Sequence, residues 1–268
     1  MDDASLKALA ETLRAPARAL VTFTGNYQAV VATAFIPWDA AAAALPPGLE
    51  LRKFAGAPDG MHPLILTFGA QSNVTTKLAD VPIVLNYRES AFLIPNTGVT
   101  GDARNRAAIF MPRLDVDNLE AAAMGSCVGY DKKLSLIDTG AKGFHVRALV
   151  TGQELYTLQS GSEGYVGKPS DFPNFAVTVG MLQQPILSVS AIGERIFTVM
   201  TWQFSSARLN GAQSRLTVSH DGMPALPAGV YNWAEYGRTI TGSGQLSVSW
   251  VLQGPFFDWP GSADALPV

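Results

Sequence analysis

The chain has 268 residues, of which 47% are hydrophobic and 15% are charged, so it can bury a large hydrophobic core. Its formal net charge is −3, and no basic run or basic-aromatic stripe appears. A nucleic-acid partner is therefore not expected. No boundary divides the chain, and we predict one domain over residues 1–268.

The N-terminus and the single cysteine bear on where the protein works. Asp2 and Asp3 follow Met1, where a signal peptide would need positive charge. No run approaches the roughly 18 apolar residues of a membrane span. We expect a cytoplasmic protein with no membrane partner. Cys127 alone excludes an internal disulfide, and we interpret it as a small buried hydrophobe.

Three helices are predicted. The first covers residues 3–14, where leucines recur at helical spacing. The second is an alanine run for which Asp39 is a plausible N-cap and which Pro46 must end. The third covers residues 119–124, with Asp117 or Asn118 as its cap.

Strands dominate the rest of the chain. Short apolar or alternating runs bounded by Gly, Pro and Asn predict them. The predicted strands are residues 19–24, 26–35, 63–68, 81–87, 91–94, 107–111, 143–151, 154–158, 175–179, 186–192, 195–206, 216–219 and 245–252. Residues 160–173 are predicted to form a long loop. Many short strands with few helices are typical of a mainly β (α+β) barrel or sandwich.

Two adjacent lysines, Lys132 and Lys133, lie in an otherwise apolar segment. Lysine forms an imine with a carbonyl group only as the neutral amine, so its pKa of about 10.4 must fall towards neutrality. Burial or a neighbouring positive charge lowers that pKa. The helix predicted before the pair and the apolar residues after it would bury it. The alternative is a solvated surface pair, which is the commoner place for lysine.

The lysine segment, Tyr130-Asp131-Lys132-Lys133-Leu134 after Ala123-Met124-Gly125, resembles the Schiff-base motif of the acetoacetate decarboxylase superfamily. The resemblance implies that Lys132 forms the imine and that Lys133 is its cationic neighbour. It also implies a closed or double-sheet β-barrel with a few peripheral helices, no cofactor, and a homo-oligomer. On a strand the two ammonium groups would point to opposite faces. Desolvation would then be the larger effect on Lys132.

Two further segments resemble the same superfamily. Asn86-Tyr87-Arg88-Glu89-Ser90 resembles a Tyr-x-Glu-Ser segment that carries a catalytic glutamate, which implies that role for Glu89. Leu45-Pro46-Pro47-Gly48-Leu49-Glu50 resembles the turn that ends a short helix of the family. These motifs cover roughly the first half of the chain.

The chain also departs from the family pattern. An arginine that helps to hold the substrate carboxylate is missing from residues 23–27, and a second glutamate is missing from residues 64–69. Arg88 is the candidate to replace the arginine, although a strand would turn it away from the face of Glu89. Tyr27, Phe92 and Tyr130 are candidates for the pocket wall, with ordinary core packing as the alternative.

Other chemistries receive little support from the sequence. His62, His145 and His220 are widely spaced without a metal-ligand pattern, so we predict no metal site. Neither a phosphate-binding glycine motif nor a Gly-x-Ser-x-Gly elbow is present. Asp115 and Asp117 are interpreted as capping, solvated acids.

Three functions remain open for a barrel that encloses Lys132 in an apolar cavity. The first is decarboxylation of a β-keto acid through an imine and an enamine on Lys132, assisted by Glu89. The second uses the same enamine for carbon–carbon bond formation or dehydration, as an aldolase–dehydratase, and the missing arginine favours it. The third is a non-catalytic barrel that binds a small apolar ligand.

Overall fold

The computed structural model describes residues 24–78, 81–102, 105–127, 130–140, 143–160, 165–189, 195–201, 208–210, 213–219, 226, 229–237 and 247–252. The strands are β1 (Thr24–Pro37), β2 (Leu49–Leu51), β3 (Met61–Leu78), β4 (Val81–Val99), β5 (Ala108–Val116), β6 (Lys132–Gly140), β7 (Gly143–Ala148), β8 (Glu154–Ser160), β9 (Val166–Gly167), β10 (Ile186–Val189), β11 (Arg195–Thr201), β12 (Leu209–Asn210), β13 (Gln213–Val218), β14 (Gly229–Gly237) and β15 (Ser247–Leu252). The helices are α1 (Trp38–Ala43), α2 (Leu119–Cys127) and α3 (Pro173–Leu182), with a 3-10 turn at Pro169–Asp171.

The strand pairings close a ring. β1 pairs with β3, β3 with β4, β4 with β5 and β5 with β6, and the ring continues through β7, β8, β13 and β14 back to β1. Every pair in this ring is antiparallel except β5–β6, whose parallel connection is made by α2. β2 joins the end of β4, and β10, β11 and β15 extend the sheet from β5. The prediction of a mainly β barrel with few helices is confirmed.

Alternate side chains of the ring strands fill the barrel interior. Phe92 and Tyr156 meet edge to face with ring centroids 4.9 Å apart, and Phe68 lies 5.6 Å from Tyr156. All three side chains are almost fully buried. They belong to a cluster to which β1, β3, β4, β5, β6, β7, β8 and β13 contribute. The interior is therefore a packed core, as in other small barrels.

A second core lies on the outer face of the barrel, under α3. Phe175, Met181 and Leu182 of this helix pack with strand residues such as Ile65 and Leu93. The strand predicted at residues 175–179 is therefore wrong, because these residues are helical. Pro173 stands at the start of the helix, where its fixed φ suits the first turn. A short buried apolar run does not by its spacing distinguish a strand from a helix.

The other predicted helices are compared with the structure by their first residues and their caps. α1 begins at Trp38, so Asp39 lies in its first turn and is not the N-cap. α2 is capped by Asn118, whose Oδ1 accepts a hydrogen bond of 2.8 Å from the Ala121 backbone N–H. The helix predicted at residues 3–14 lies outside the described residues. Within the part of the chain that is described, no helix is long and apolar enough to cross a membrane.

Candidate active site

Lys132 is the first residue of β6, immediately after the α2 crossover. Its Cα pairs with that of Leu114 on β5, and the Leu114 side chain belongs to the outer core. Lys132 therefore lies on the outer face of the barrel, beneath α2. The expectation that it points into a barrel cavity is wrong, because large core side chains such as Phe92 fill the interior on the opposite face.

α2 covers the Lys132 side chain through Gly125. A Cβ built on Gly125 would lie only 2.4 Å from Lys132 Cδ. The Tyr130 backbone N–H donates a hydrogen bond of 2.8 Å to the Gly125 carbonyl oxygen. The glycine thus allows helix backbone to lie directly on the lysine stem, an approach that any larger residue would obstruct.

This cover changes the acidity of the amine. Lys132 is half-buried by surface area, but its ammonium group is sufficiently surrounded by protein for burial to lower its pKa. The negative charge of Glu89 raises that pKa by a smaller amount, so the net direction is downward. Nζ also lies 5.0 Å from the centroid of the Tyr87 ring. The result is an amine that loses its proton more readily than an ordinary lysine.

Glu89 on β4 is half-buried and lies among hydroxyl and amide groups. Gln71 Nε2 donates a hydrogen bond of 2.9 Å to Glu89 Oε1. Burial first, and the charge of Glu89 second, raise the pKa of Tyr27 and of Tyr87 well above the ordinary tyrosine value. Tyr130, which is 7% exposed, adds to the effect on Tyr87. These residues form one cluster around the carboxylate.

Strand register brings the cluster together. The Cα atoms of Tyr27, Gln71 and Tyr87 form one row across β1, β3 and β4. Gly69 occupies the next position of β3 on this face, opposite Glu89, and a Cβ there would lie 2.7 Å from the Tyr27 ring. The glycine therefore leaves room for the tyrosine ring near the carboxylate.

Sequence reasoning missed two members of this cluster. Tyr87 precedes Glu89 by two residues, so strand alternation could have placed it on the same face. Gln71 carries no comparable local signal, because its position depends on how β1, β3 and β4 align.

Three predicted site residues lie away from this cluster. Lys133 is exposed, and its Nζ lies 2.7 Å from Asp131 Oδ2. Arg88 donates a hydrogen bond of 2.7 Å to the Ile137 carbonyl oxygen and lines a separate open cavity of about 360 Å³. Phe92 is part of the barrel interior. By contrast, the cluster around the Glu89 carboxylate contains four predicted site residues, Lys132, Glu89, Tyr27 and Tyr130.

A second polar cluster lies inside the barrel, around Asp115. The carboxylate accepts hydrogen bonds from Arg113 Nε at 2.7 Å, from Ser135 Oγ at 2.6 Å and from the Tyr156 hydroxyl group. Asp115 is fully buried, so its interpretation as a solvated acid is wrong. The ion pair with Arg113 and the hydroxyl donors satisfy the carboxylate and make this a structural network.

The histidines do not gather into a site. Buried His62 shares a hydrogen bond of 2.7 Å between its Nε2 and the Pro95 carbonyl oxygen. His145 lies at the surface beside Glu154, and His220 is outside the described residues. Among the residues that are described, no group of three His, Cys, Asp or Glu could hold a metal ion.

No protein-family model and no curated protein matches the chain. Solved structures do. The structure of MppR, an enduracididine biosynthesis enzyme complexed with pyruvate, is 16% identical with a TM-score of 0.47 and covers 84% of this chain and 90% of its own. An acetoacetate decarboxylase-like enzyme from Sphingomonas wittichii RW1 is 19% identical with a TM-score of 0.49, at coverages of 84% and 93%. An acetoacetate decarboxylase structure is 13% identical with a TM-score of 0.55, and covers 87% of this chain and 89% of its own. The TM-score of 0.55 with the acetoacetate decarboxylase structure shows that the chain has the acetoacetate decarboxylase-like fold.

Proposed function

We propose that the chain is an enzyme in which Lys132 forms an imine with the carbonyl group of a small keto acid. The observation that carries this proposal is a lysine amine whose pKa is lowered by burial beneath α2, beside the carboxylate of Glu89. A buried amine is available as a nucleophile at a pH where an exposed lysine is almost entirely protonated.

The imine forms in two steps. The neutral Nζ attacks the carbonyl carbon, and proton transfer gives a carbinolamine. The carbon–oxygen bond then breaks with loss of water, which leaves a protonated imine. Glu89 is the acid–base group that lies close enough to affect the amine, and in this proposal it relays those protons. Gln71, hydrogen-bonded to Glu89, holds the carboxylate in place.

Decarboxylation of a β-keto acid is the first candidate for the reaction of this imine. The bond to the carboxylate carbon breaks, its electron pair moves to the protonated imine, and carbon dioxide leaves. The enamine takes a proton at carbon, and water releases the ketone product. The buried, negatively charged surroundings support this candidate, because a substrate carboxylate beside Glu89 is disfavoured and its loss as neutral carbon dioxide removes that repulsion.

Carbon–carbon bond formation or dehydration by the same enamine is the second candidate. The supporting observation concerns the positions of the described arginines. Arg88 is bound to the Ile137 carbonyl on another face. Among the described arginines, none contributes to the pKa shifts of Lys132, Tyr27 or Tyr87. The described residues of the site therefore offer no bidentate ion pair to a substrate carboxylate.

Borohydride trapping tests the proposal. Reduction in the presence of pyruvate, acetoacetate or 2-oxobutanoate should add the mass of the reduced keto acid at Lys132. Lys132→Met should give no adduct and keep the wild-type circular dichroism spectrum. If wild-type protein gives no adduct with any of the three acids, the proposal is wrong and a barrel that binds a small apolar ligand becomes the better interpretation. Release of carbon dioxide from acetoacetate then separates the two candidate reactions.

A further inference from the structure

Gln71 is a buried polar residue in the candidate site. Only one of the two polar atoms of its side-chain amide has a hydrogen-bond partner among the described residues. The residue is 2% exposed. Its Cα lies in the row between those of Tyr27 and Tyr87, and its amide bonds to the carboxylate that acts on Lys132. It therefore lies one hydrogen bond away from the carboxylate that raises the pKa of Lys132.

The orientation of the Gln71 amide is fixed by its neighbour. A carboxylate only accepts hydrogen bonds, so the amide nitrogen must face Glu89, and Nε2 donates to it at 2.9 Å. The amide oxygen, Oε1, then points elsewhere. It is buried and has no hydrogen-bond partner among the described residues.

A buried acceptor without a donor is unfavourable, and such atoms in native proteins call for an explanation. The missing group is a donor, either O–H or N–H. The carboxylate and carbonyl oxygens of an ionised simple keto acid only accept, so its carbon chain offers no such donor. A keto acid with a hydroxyl group on its carbon chain can supply it.

We infer that Gln71 Oε1 accepts a hydrogen bond from a hydroxyl group of the substrate, so that the site prefers hydroxylated keto acids to the matching acids without the hydroxyl group. This inference rests on the proposed function, since the substrate must be held as an imine on Lys132. It also favours the second candidate reaction, in which an aldol adduct carries such a hydroxyl group. Gln71 thus becomes a specificity-determining residue.

The experiment compares two probes, 4-hydroxy-2-oxobutanoate and 2-oxobutanoate. The measured quantity is the probe concentration that gives half-maximal borohydride-trapped adduct at Lys132, with all adducts at this residue counted. In the wild-type protein the hydroxylated probe should reach half-maximal trapping at about tenfold lower concentration, as expected for one good hydrogen bond.

Substitutions test whether Gln71 Oε1 causes the preference for the hydroxylated probe. Gln71→Met keeps the length of the side chain but removes the acceptor, so the ratio should fall to about one while 2-oxobutanoate is still trapped. Loss of the hydrogen bond to Glu89 affects both probes and cancels in the ratio. Gln28→Met is the matched control, because Gln28 is exposed on β1, and it should keep the wild-type ratio.

The outcomes separate the two proposals. Equal trapping of both probes by the wild-type protein overturns the inference about Gln71 and leaves the imine proposal standing, and this comparison needs no variant. If Gln71→Met still prefers the hydroxylated probe, the inference about Gln71 is likewise overturned and the imine proposal stands. Absence of any Lys132 adduct with either probe overturns this inference, and absence with pyruvate and acetoacetate as well overturns the imine proposal.

Discussion

The backbone of Gly125 lies against the side chain of Lys132, so closely that a Cβ on the glycine would be 2.4 Å from Cδ and 2.6 Å from Cε. One turn of α2 thus both buries the lysine stem and limits where the amine can go. The obstructing atoms belong to a flexible side chain. A methyl group at this position should therefore displace the amine and leave the fold intact.

Gly125→Ala should lower the rate of imine trapping at Lys132 by about tenfold or more, because an ångström-scale displacement of a reacting group is costly. The melting temperature should stay within a few degrees of wild type, since alanine also favours the helix by about 1 kcal/mol. Gly180→Ala on α3 is the matched control, because nothing lies within 4 Å of its added Cβ. A Gly125→Ala protein that traps keto acids at the wild-type rate would show that α2 does not position the amine.

Glu89→Gln should move the pH dependence of imine trapping to lower pH. The negative charge of Glu89 favours the ammonium form of Lys132, so its removal lowers the lysine pKa further and the neutral amine forms earlier as pH rises. The measurement is the initial trapping rate from pH 6 to pH 10. Glu120→Gln, an exposed change on α2, should leave the profile in place. A shift of the Glu89→Gln profile to higher pH contradicts the assignment.

Lys133→Ala tests the role that the sequence resemblance implied for the second lysine. Its side chain is 53% exposed and pairs with Asp131, so we expect trapping at Lys132 within about twofold of wild type and an unchanged pH profile. The stability cost should be below about 1 kcal/mol, as for other exposed ion pairs. If Lys133 instead tunes the amine by its charge, its removal raises the pKa of Lys132 and the profile moves upward.

Asp115→Ala should destabilise the barrel by about 3–5 kcal/mol, because it leaves the largely buried guanidinium group of Arg113 and the Tyr156 hydroxyl group without their acceptor. The free energy of unfolding in urea measures this loss. Asp138→Ala also removes an arginine partner, that of Arg147, but at the exposed surface, and should cost no more than about 1 kcal/mol. Similar losses in the two variants would contradict a structural role for the Asp115 network.

His62 should make the protein less stable in mild acid. Burial lowers its pKa from the ordinary value of 6.5, so the folded state binds fewer protons there than the unfolded state. Its contribution to stability is therefore lost as pH falls below 6.5, with a slope of at most about 1.4 kcal/mol per pH unit.

The check on His62 is the free energy of unfolding at pH 7.5 and at pH 5.5. His62→Gln, which can still donate to the Pro95 carbonyl oxygen, should show a smaller loss between the two pH values than wild type. His145→Gln changes an exposed histidine and should keep the wild-type loss. An identical loss in wild type and His62→Gln would rule out His62 as the titrating group.

The sequence by itself determined the class of fold and the first candidates for the site. Strand alternation and turn residues are local properties, so they predicted a mainly β barrel before any contact was known. The motifs around Lys132 and Glu89 are local as well, and these two residues do lie near each other. Alternation also predicted that Lys133 and Arg88 would point away from them.

Only the tertiary structure decided which face of the barrel holds the amine and what surrounds it. Gln71 joins the cluster because three strands far apart in sequence align in one register, which no local pattern records. Asp115 is a buried acid because its donors come from β5, β6 and β8. Residues 175–179 are helical because Pro173 starts a helix that packs on the outer face of the barrel. The burial of a side chain and its hydrogen-bond partners depend on remote parts of the chain. They determine whether a lysine is a solvated cation or a nucleophile.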